Sequence, residues 1–230
     1  MKRETVRGWI EEIGVIPAVR VFSAEDALFA AEAVAGGGIP IVEVELTVPG
    51  ASKVISYLVK NAPHMVVGAG SVLDAETARG CLDAGASFLT SDGFDVGMVE
   101  FALKQGVVVF PGVLTPTELM TAWKTGCDFI KVVPCSNVGG DSYIRDLKGP
   151  FPNVPLIAAG GVNQQNATNY ILNGAVALGI GGELVPKEAI RMRQSGRIGE
   201  LARRFVDFVK SGRAHRKARQ PVAAVPQPAA

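Results

Sequence analysis

Five times in this chain a helical stretch ends at glycine and a short, β-branched run begins at once. The instances are Gly38 before Pro40–Leu46, Gly85 before Ser87–Ser91, Gly106 before Val107–Phe110, Gly126 before Asp128–Val133 and Gly174 before Ala175–Ile180. Glycine just past a helix supplies a left-handed C-terminal cap. An immediate switch from helical to strand patterning marks a βα repeat. Followed along the chain, the pattern predicts eight strands, near 15–21, 40–46, 65–69, 87–91, 107–111, 128–133, 154–159 and 175–180. Helices are predicted near 4–13, 24–36, 50–61, 74–84, 95–105, 115–125, 141–148, 164–173 and 199–211. Such alternation closes into a barrel or opens into a doubly wound sheet. No Gly-x-Gly-x-x-Gly follows the first strand, so the expectation is a single (β/α)8 TIM barrel with an N-terminal helix.

The 230 residues suit one domain of this kind, and 48% hydrophobic content can fill its core. A net charge of +1 gives no reason to expect nucleic acid or an anionic membrane as partner. From Arg213 onward the chain holds four of its 23 Lys and Arg residues and no acid, then runs into Pro, Ala and Val. Residues 1–212 are therefore assigned to the barrel, and 213–230 to a disordered tail. Cys81, Cys127 and Cys135 lack metal or CxxC spacing and read as free thiols. The first residues lead into no apolar signal core, and no run is long enough to span a membrane. The expected location is the cytoplasm.

In TIM barrels the working residues sit at the C-terminal ends of strands. On the sixth strand Phe129, Lys131 and Val133 share one face, while Ile130 and Val132 share the other. Lys131 thus points toward the barrel axis. A buried ammonium is costly, so burial should lower its pKa, and a neutral amine attacks carbonyls. The competing reading is a structural lysine paired with a core carboxylate. On the second strand Glu43, Glu45 and Thr47 face inward together, and two carboxylates there can hold a lysine and shuttle protons. Glu45, one layer higher, also fits a solvated rim charge. Arg20, near the end of the first strand, can clamp a substrate carboxylate or pair with Glu43 or Glu45.

Gly160-Gly161 and Gly181-Gly182 follow the seventh and eighth strands, where backbone N–H groups at helix N-termini commonly bind phosphate. Only two histidines exist, His64 and His215, so no His–carboxylate cluster suits a metal-dependent aldolase. Lysine is left as the group that activates a carbonyl, and no cofactor is expected.

Several segments together resemble the class I aldolases for 2-keto-3-deoxy-6-phosphogluconate (KDPG) and 4-hydroxy-2-oxoglutarate (KHG). They are Gly38–Val44, Val67–Leu73, Phe110–Leu119, Phe129–Pro134, Gly149–Pro152 and Gly160–Asn163. The similarity runs from about Val15 to Lys210. It implies a trimeric barrel in which Lys131 forms a Schiff base with a 2-oxo acid and Glu43 transfers protons. It places Ser71 at the family's small hydroxyl position. It gives Arg20, with Thr47, the role of holding the pyruvate carboxylate. Pro111 and Val133, in the matched strand ends, are added as substrate contacts.

Two departures fall where the family lines its phosphate pocket: Ala159 replaces a usual Thr, and Glu183 a usual Ser. A carboxylate there disfavours a phosphorylated aldehyde half. Asp92, where the family more often has Pro, adds an acid near the mouth. The implied activity is reversible cleavage of a 4-hydroxy-2-oxo acid to pyruvate and an aldehyde. Two other classes stay open on the residues alone: a phosphosugar isomerase or epimerase using Glu43 as base, and a non-catalytic barrel that binds a small acid.

Overall fold

The computed structural model describes residues 1–219. Its strands are β1 (Val15–Val19), β2 (Ile41–Glu45), β3 (Val66–Gly70), β4 (Phe88–Thr90), β5 (Val108–Phe110), β6 (Gly112–Val113), β7 (Ile130–Val132), β8 (Leu156–Ala159) and β9 (Ala175–Ile180). All the pairings are parallel, and the spatial order is β5-β4-β3-β2-β1-β9-β8-β7-β6. The two ends of that order, β5 and β6, are halves of one strand parted by Pro111. Proline has no N–H to give a ladder, so the strand breaks there. Its carbonyl still accepts from Lys131 N at 3.0 Å, and Asp128 N donates to Val109 O at 3.0 Å. The sheet therefore meets itself across the fifth strand, and the expected eight-stranded barrel closes.

Between the strands lie α2 (Ala24–Gly36), α3 (Ala51–Asn61), α4 (Ala75–Asp83), α5 (Val96–Lys104), α6 (Pro116–Trp123), α7 (Asp141–Lys148) and α8 (Ala167–Leu172). The five glycines read as helix terminators all have positive φ, from +69° at Gly106 to +115° at Gly174. Thr115 and Glu118 form the full reciprocal cap at the start of α6, with Pro116 in its first turn.

The barrel's lower end is plugged. Helix α1 (Arg3–Ile13) buries Val6 and Ile10, and its Arg3 Nε donates to Asp128 Oδ1 at 2.9 Å. Asp128 Oδ2 accepts from Val109 N at 3.0 Å. Inside, Phe88 stacks on Phe110 with centroids 5.5 Å apart, and Phe129 meets Phe110 edge-on at 5.9 Å. Phe129 lies one inward position below Lys131, so these rings form an apolar floor beneath it.

Two expectations are corrected at the C-terminal end of the chain. A short helix, α9 (Lys187–Arg191), was not foreseen. The last helix, α10 (Ser195–Arg219), runs well past the boundary drawn at Arg213. Arg213 donates to the carbonyls of Glu11, Glu12 and Val176, and Arg216 reaches those of Ile171 and Ala175. These cations thus satisfy backbone carbonyls at the barrel's lower end instead of trailing in water. Gln220–Ala230, the rest of the expected tail, lie outside the described residues. Among the described residues no helix is long and apolar enough to cross a membrane.

Candidate active site

At the C-terminal ends of the strands a cavity of about 340 Å³ opens. Lys131, Glu43, Glu45, Arg20, Asp92 and Val133 line it, with Ala18, Ala159 and Gly160. Lys131 is 5% exposed and Glu43 2%. Both point inward because each occupies an inward position of a strand packed on both sides. Room for the Glu43 carboxyl is made by Gly70, where a Cβ would collide with it, and Gly68 makes the same allowance for the Phe88 ring.

Lys131 Nζ lies 2.8 Å from Asp92 Oδ1 and 3.5 Å from Glu43 Oε1. The longer distance is outside good hydrogen-bond range, and Glu43 Oε1 has no hydrogen-bond partner. Arg20 Nη2 stands 3.4 Å from Glu45 Oε2 and 3.6 Å from Asp92 Oδ2. Ser71 Oγ donates to Glu45 Oε2 at 2.5 Å and approaches Asp92 Oδ2 at 3.4 Å. Ser71 holds that position in a left-handed backbone, φ +58°, which is uncommon without glycine. Arg20 therefore makes an ion pair with Glu45, the alternative to a free carboxylate clamp, and Glu45 is a buried network member instead of a rim charge.

The charges pull the carboxylates apart in acidity. Burial pushes Glu43 up, and Glu45 and Asp92 add repulsion. Lys131 offsets only part of this, so the Glu43 pKa is raised to about 7. Burial also acts on Asp92, but Lys131, Arg20 and Ser71 outweigh it and hold that carboxyl below the usual range. For Lys131 the expectation of a lowered pKa is overturned. Burial pulls it toward the neutral amine, yet Glu43, Asp92 and Glu45 together hold it above the ordinary lysine value. Two carboxyls with opposite shifts divide the labour: Glu43 can exchange a proton near neutrality, and Asp92 stays an anion.

Some residues expected in the site are elsewhere. Strand β2 ends at Glu45 and the chain turns, with Val48 N donating to Glu45 O at 2.9 Å, so Thr47 is carried to the exposed surface. Pro111 is buried off the cavity and acts through its carbonyl on the Lys131 backbone. Ser71 reaches the site through Glu45 and Asp92. Gly160 lines the cavity, whereas Gly161 abuts the Ser136 side chain. Neither Gly pair opens a helix. Helix α8 begins only at Ala167, after a turn in which Asn166 Nδ2 donates to Gly161 O at 2.9 Å.

Gly181 and Gly182 line the far side of the cavity, but Glu183 is exposed and does not. In the turn after Gly181, Leu184 N and Val185 N both fold back onto Gly181 O. This directs Glu183 to solvent and brings Lys187 to the mouth instead. The Lys187 Nζ sits 5.0 Å from the centroid of exposed Phe22. No sequence signal marked Lys187, a lone lysine at the start of a short helix.

A closed βα barrel with a buried lysine set among carboxylates at its C-terminal mouth defines a class of enzyme site. The model of the KDPG and KHG aldolase family matches residues 6–201, and the chain belongs to that family. It is an aldolase, and so a lyase. The KHG/KDPG aldolase of Escherichia coli K12 is 32% identical over 197 residues, covering 85% of this chain and 92% of that one. The 2-dehydro-3-deoxy-phosphogluconate aldolase of Pseudomonas aeruginosa is 29% identical, covering 89% and 93% respectively. Among solved structures, a KDPG aldolase from Legionella pneumophila, with pyruvate captured as a covalent carbinolamine, superposes with a TM-score of 0.80. It is 32% identical, covering 86% of this chain and 96% of that one.

Proposed function

We propose that this aldolase cleaves a 4-hydroxy-2-oxo acid through an imine on Lys131, with Glu43 carrying the protons. The observation that carries this reading is a lysine held 3.5 Å from a carboxyl of pKa about 7, over an apolar floor. The carbinolamine in the Legionella relative supports it. Lys131 gives a proton to Glu43, and its amine adds to the C2 carbonyl. The carbinolamine loses water to become a protonated imine. Glu43, ionised again, takes the C4 hydroxyl proton as the C3–C4 bond breaks, and the imine accepts the electron pair as an enamine. The aldehyde leaves. Protonation at C3 and hydrolysis then free pyruvate. Covalent catalysis divides one hard step into easier ones, and the scheme calls on no cofactor.

The substrate class is 4-hydroxy-2-oxoglutarate, KDPG or both. Each carries a second anion on its aldehyde half, and Gly181, Gly182 and Lys187 offer amides and a cation at the far side of the cavity. With Glu183 turned away, its repulsion no longer argues against a phosphate. The family likeness also leads us to infer a homotrimer working in the cytoplasm; light scattering that gives a monomer mass at micromolar concentration would refute the trimer.

The central test is reduction with borohydride in the presence of pyruvate. A propionate-sized mass gain on Lys131, absent in Lys131→Ala, is expected. An unmodified Lys131, or an equal adduct in the variant, overturns the imine.

A further inference from the structure

Three carboxylates surround the two inner cations of this cavity, Glu43, Glu45 and Asp92 against Lys131 and Arg20, while a third cation, Lys187, stands apart at the mouth beside exposed Phe22. A 2-oxo acid brings a fourth carboxylate. Neither inner cation is free to receive it, since Arg20 lies against Glu45 and Asp92, and Lys131 against Asp92 and Glu43. Crowding four anions around these two inner cations is costly where Glu43, Glu45 and Lys131 are buried, so one anion has to move.

The three carboxylates differ in their freedom to do so. Glu43 and Glu45 are each 2% exposed and project from a strand paired on both sides. Glu45 is tied further by Ser71. Asp92 sits on the loop between β4 and α5, and its side chain is 45% exposed. The backbone of that loop is fixed. Gly112 N donates to Gly93 O at 3.1 Å, Ser91 Oγ donates to the same carbonyl, and a Cβ at Gly112 would collide with the Asp92 backbone. The side chain can therefore swing toward solvent by rotamer change alone, with no loop opening. What it gives up is the pair of donors a substrate carboxylate needs, a guanidinium and an ammonium.

We propose that Asp92 is an internal competitor for the substrate carboxylate. A 2-oxo acid binds by displacing Asp92 from Arg20 and Lys131, and the displacement frees Lys131 to pass its proton to Glu43. Asp92 is thus a positioning residue that sets substrate affinity and couples binding to activation of the lysine. This inference rests on the Lys131 imine.

The experiment measures borohydride trapping of pyruvate on the full chain as a function of pyruvate concentration, with Asp92→Asn and Asp92→Ala beside the parent. Both variants should reach half-maximal trapping at about one-tenth of the parent's pyruvate concentration, equivalent to about 1.4 kcal/mol. In aldol cleavage KM should fall with it, while kcat changes by less. Asp92 also contributes to the raised pKa of Glu43, along with burial and Glu45 and against Lys131. Its removal should move the acid limb of kcat/KM to lower pH, a shift that a merely structural role would not produce. An unchanged or increased pyruvate requirement in the two variants, with parent-like circular dichroism, overturns the proposal. So does a kcat loss as deep as that of Glu43→Gln, which would make Asp92 the proton carrier. If the parent itself traps no pyruvate, the imine fails; if it traps normally and the variants match it, only the role of Asp92 fails.

Discussion

The two ends of the barrel handle buried charge in opposite ways. At the lower end Asp128 meets Arg3 and the Val109 amide, and both of its oxygens are satisfied. At the mouth Glu43 is just as deeply buried, but its Oε1 has no hydrogen bond and its nearest cation faces Asp92 more closely. The first arrangement holds structure together. The second stores electrostatic tension that a reaction can use, because a carboxyl left incompletely satisfied titrates near neutral pH. On the proposed mechanism, single substitutions at the two ends should separate stability from catalysis.

The sharpest contrast is expected from Glu43→Gln, which should slow turnover by about 10²-fold or more. Glu45→Gln should cost much less, and the reverse order would reassign the proton carrier. In the parent, kcat/KM should fall as pH drops through about 7, where Glu43 becomes protonated and can no longer accept a proton. The limb should be absent in Glu43→Gln. The sign for stability is opposite to that of an ordinary salt-bridged acid. A carboxyl whose folded pKa is raised binds more protons folded than unfolded, so its contribution falls as pH rises from about 4.5 toward 7. Thermal melts at pH 7 should show Glu43→Gln no less stable than the parent.

The lower end should answer the other way. Asp128→Ala orphans the Val109 amide and releases Arg3, a loss of about 2 kcal/mol, or roughly 4–8 °C in melting temperature for a chain of this size. Its kcat should stay within a factor of two. A large activity loss without a stability loss would erase the distinction between the two ends. The smallest effect belongs to the rim. Lys187→Ala should raise KM for a substrate with an anionic aldehyde half about five-fold, a loss on the order of 1 kcal/mol. Glu183→Ser should leave the kcat/KM ratio of KDPG to 4-hydroxy-2-oxoglutarate unchanged. A ratio that rises on that substitution would show Glu183 turned into the cavity.

The inward course of Lys131 and Glu43 was legible because strand periodicity is local and both strands are apolar on the other face. The acidity of Lys131 was not, because burial can be read from one strand but three carboxylates arriving from β2 and the β4–α5 loop cannot. Asp92 could be placed near the mouth, yet its contact with Lys131 depends on how closely Gly112 admits the neighbouring loop. Thr47 and Glu183 were misplaced for one shared reason. Each lies just past a strand end, where a turn of one or two residues decides the side chain's direction and alternation no longer applies. The reach of α10 failed differently: composition marks the segment from Arg213 onward as basic and without acids, but not the carbonyls that meet Arg213 and Arg216 across the fold.

That last contact ties the first helix to the final one. Arg213 grips the carbonyls that end α1, while α10 packs along α2 and α8. The contact joins residues 201 apart in sequence, so the base of the barrel is held by a tie that forms only once both of these helices are in place.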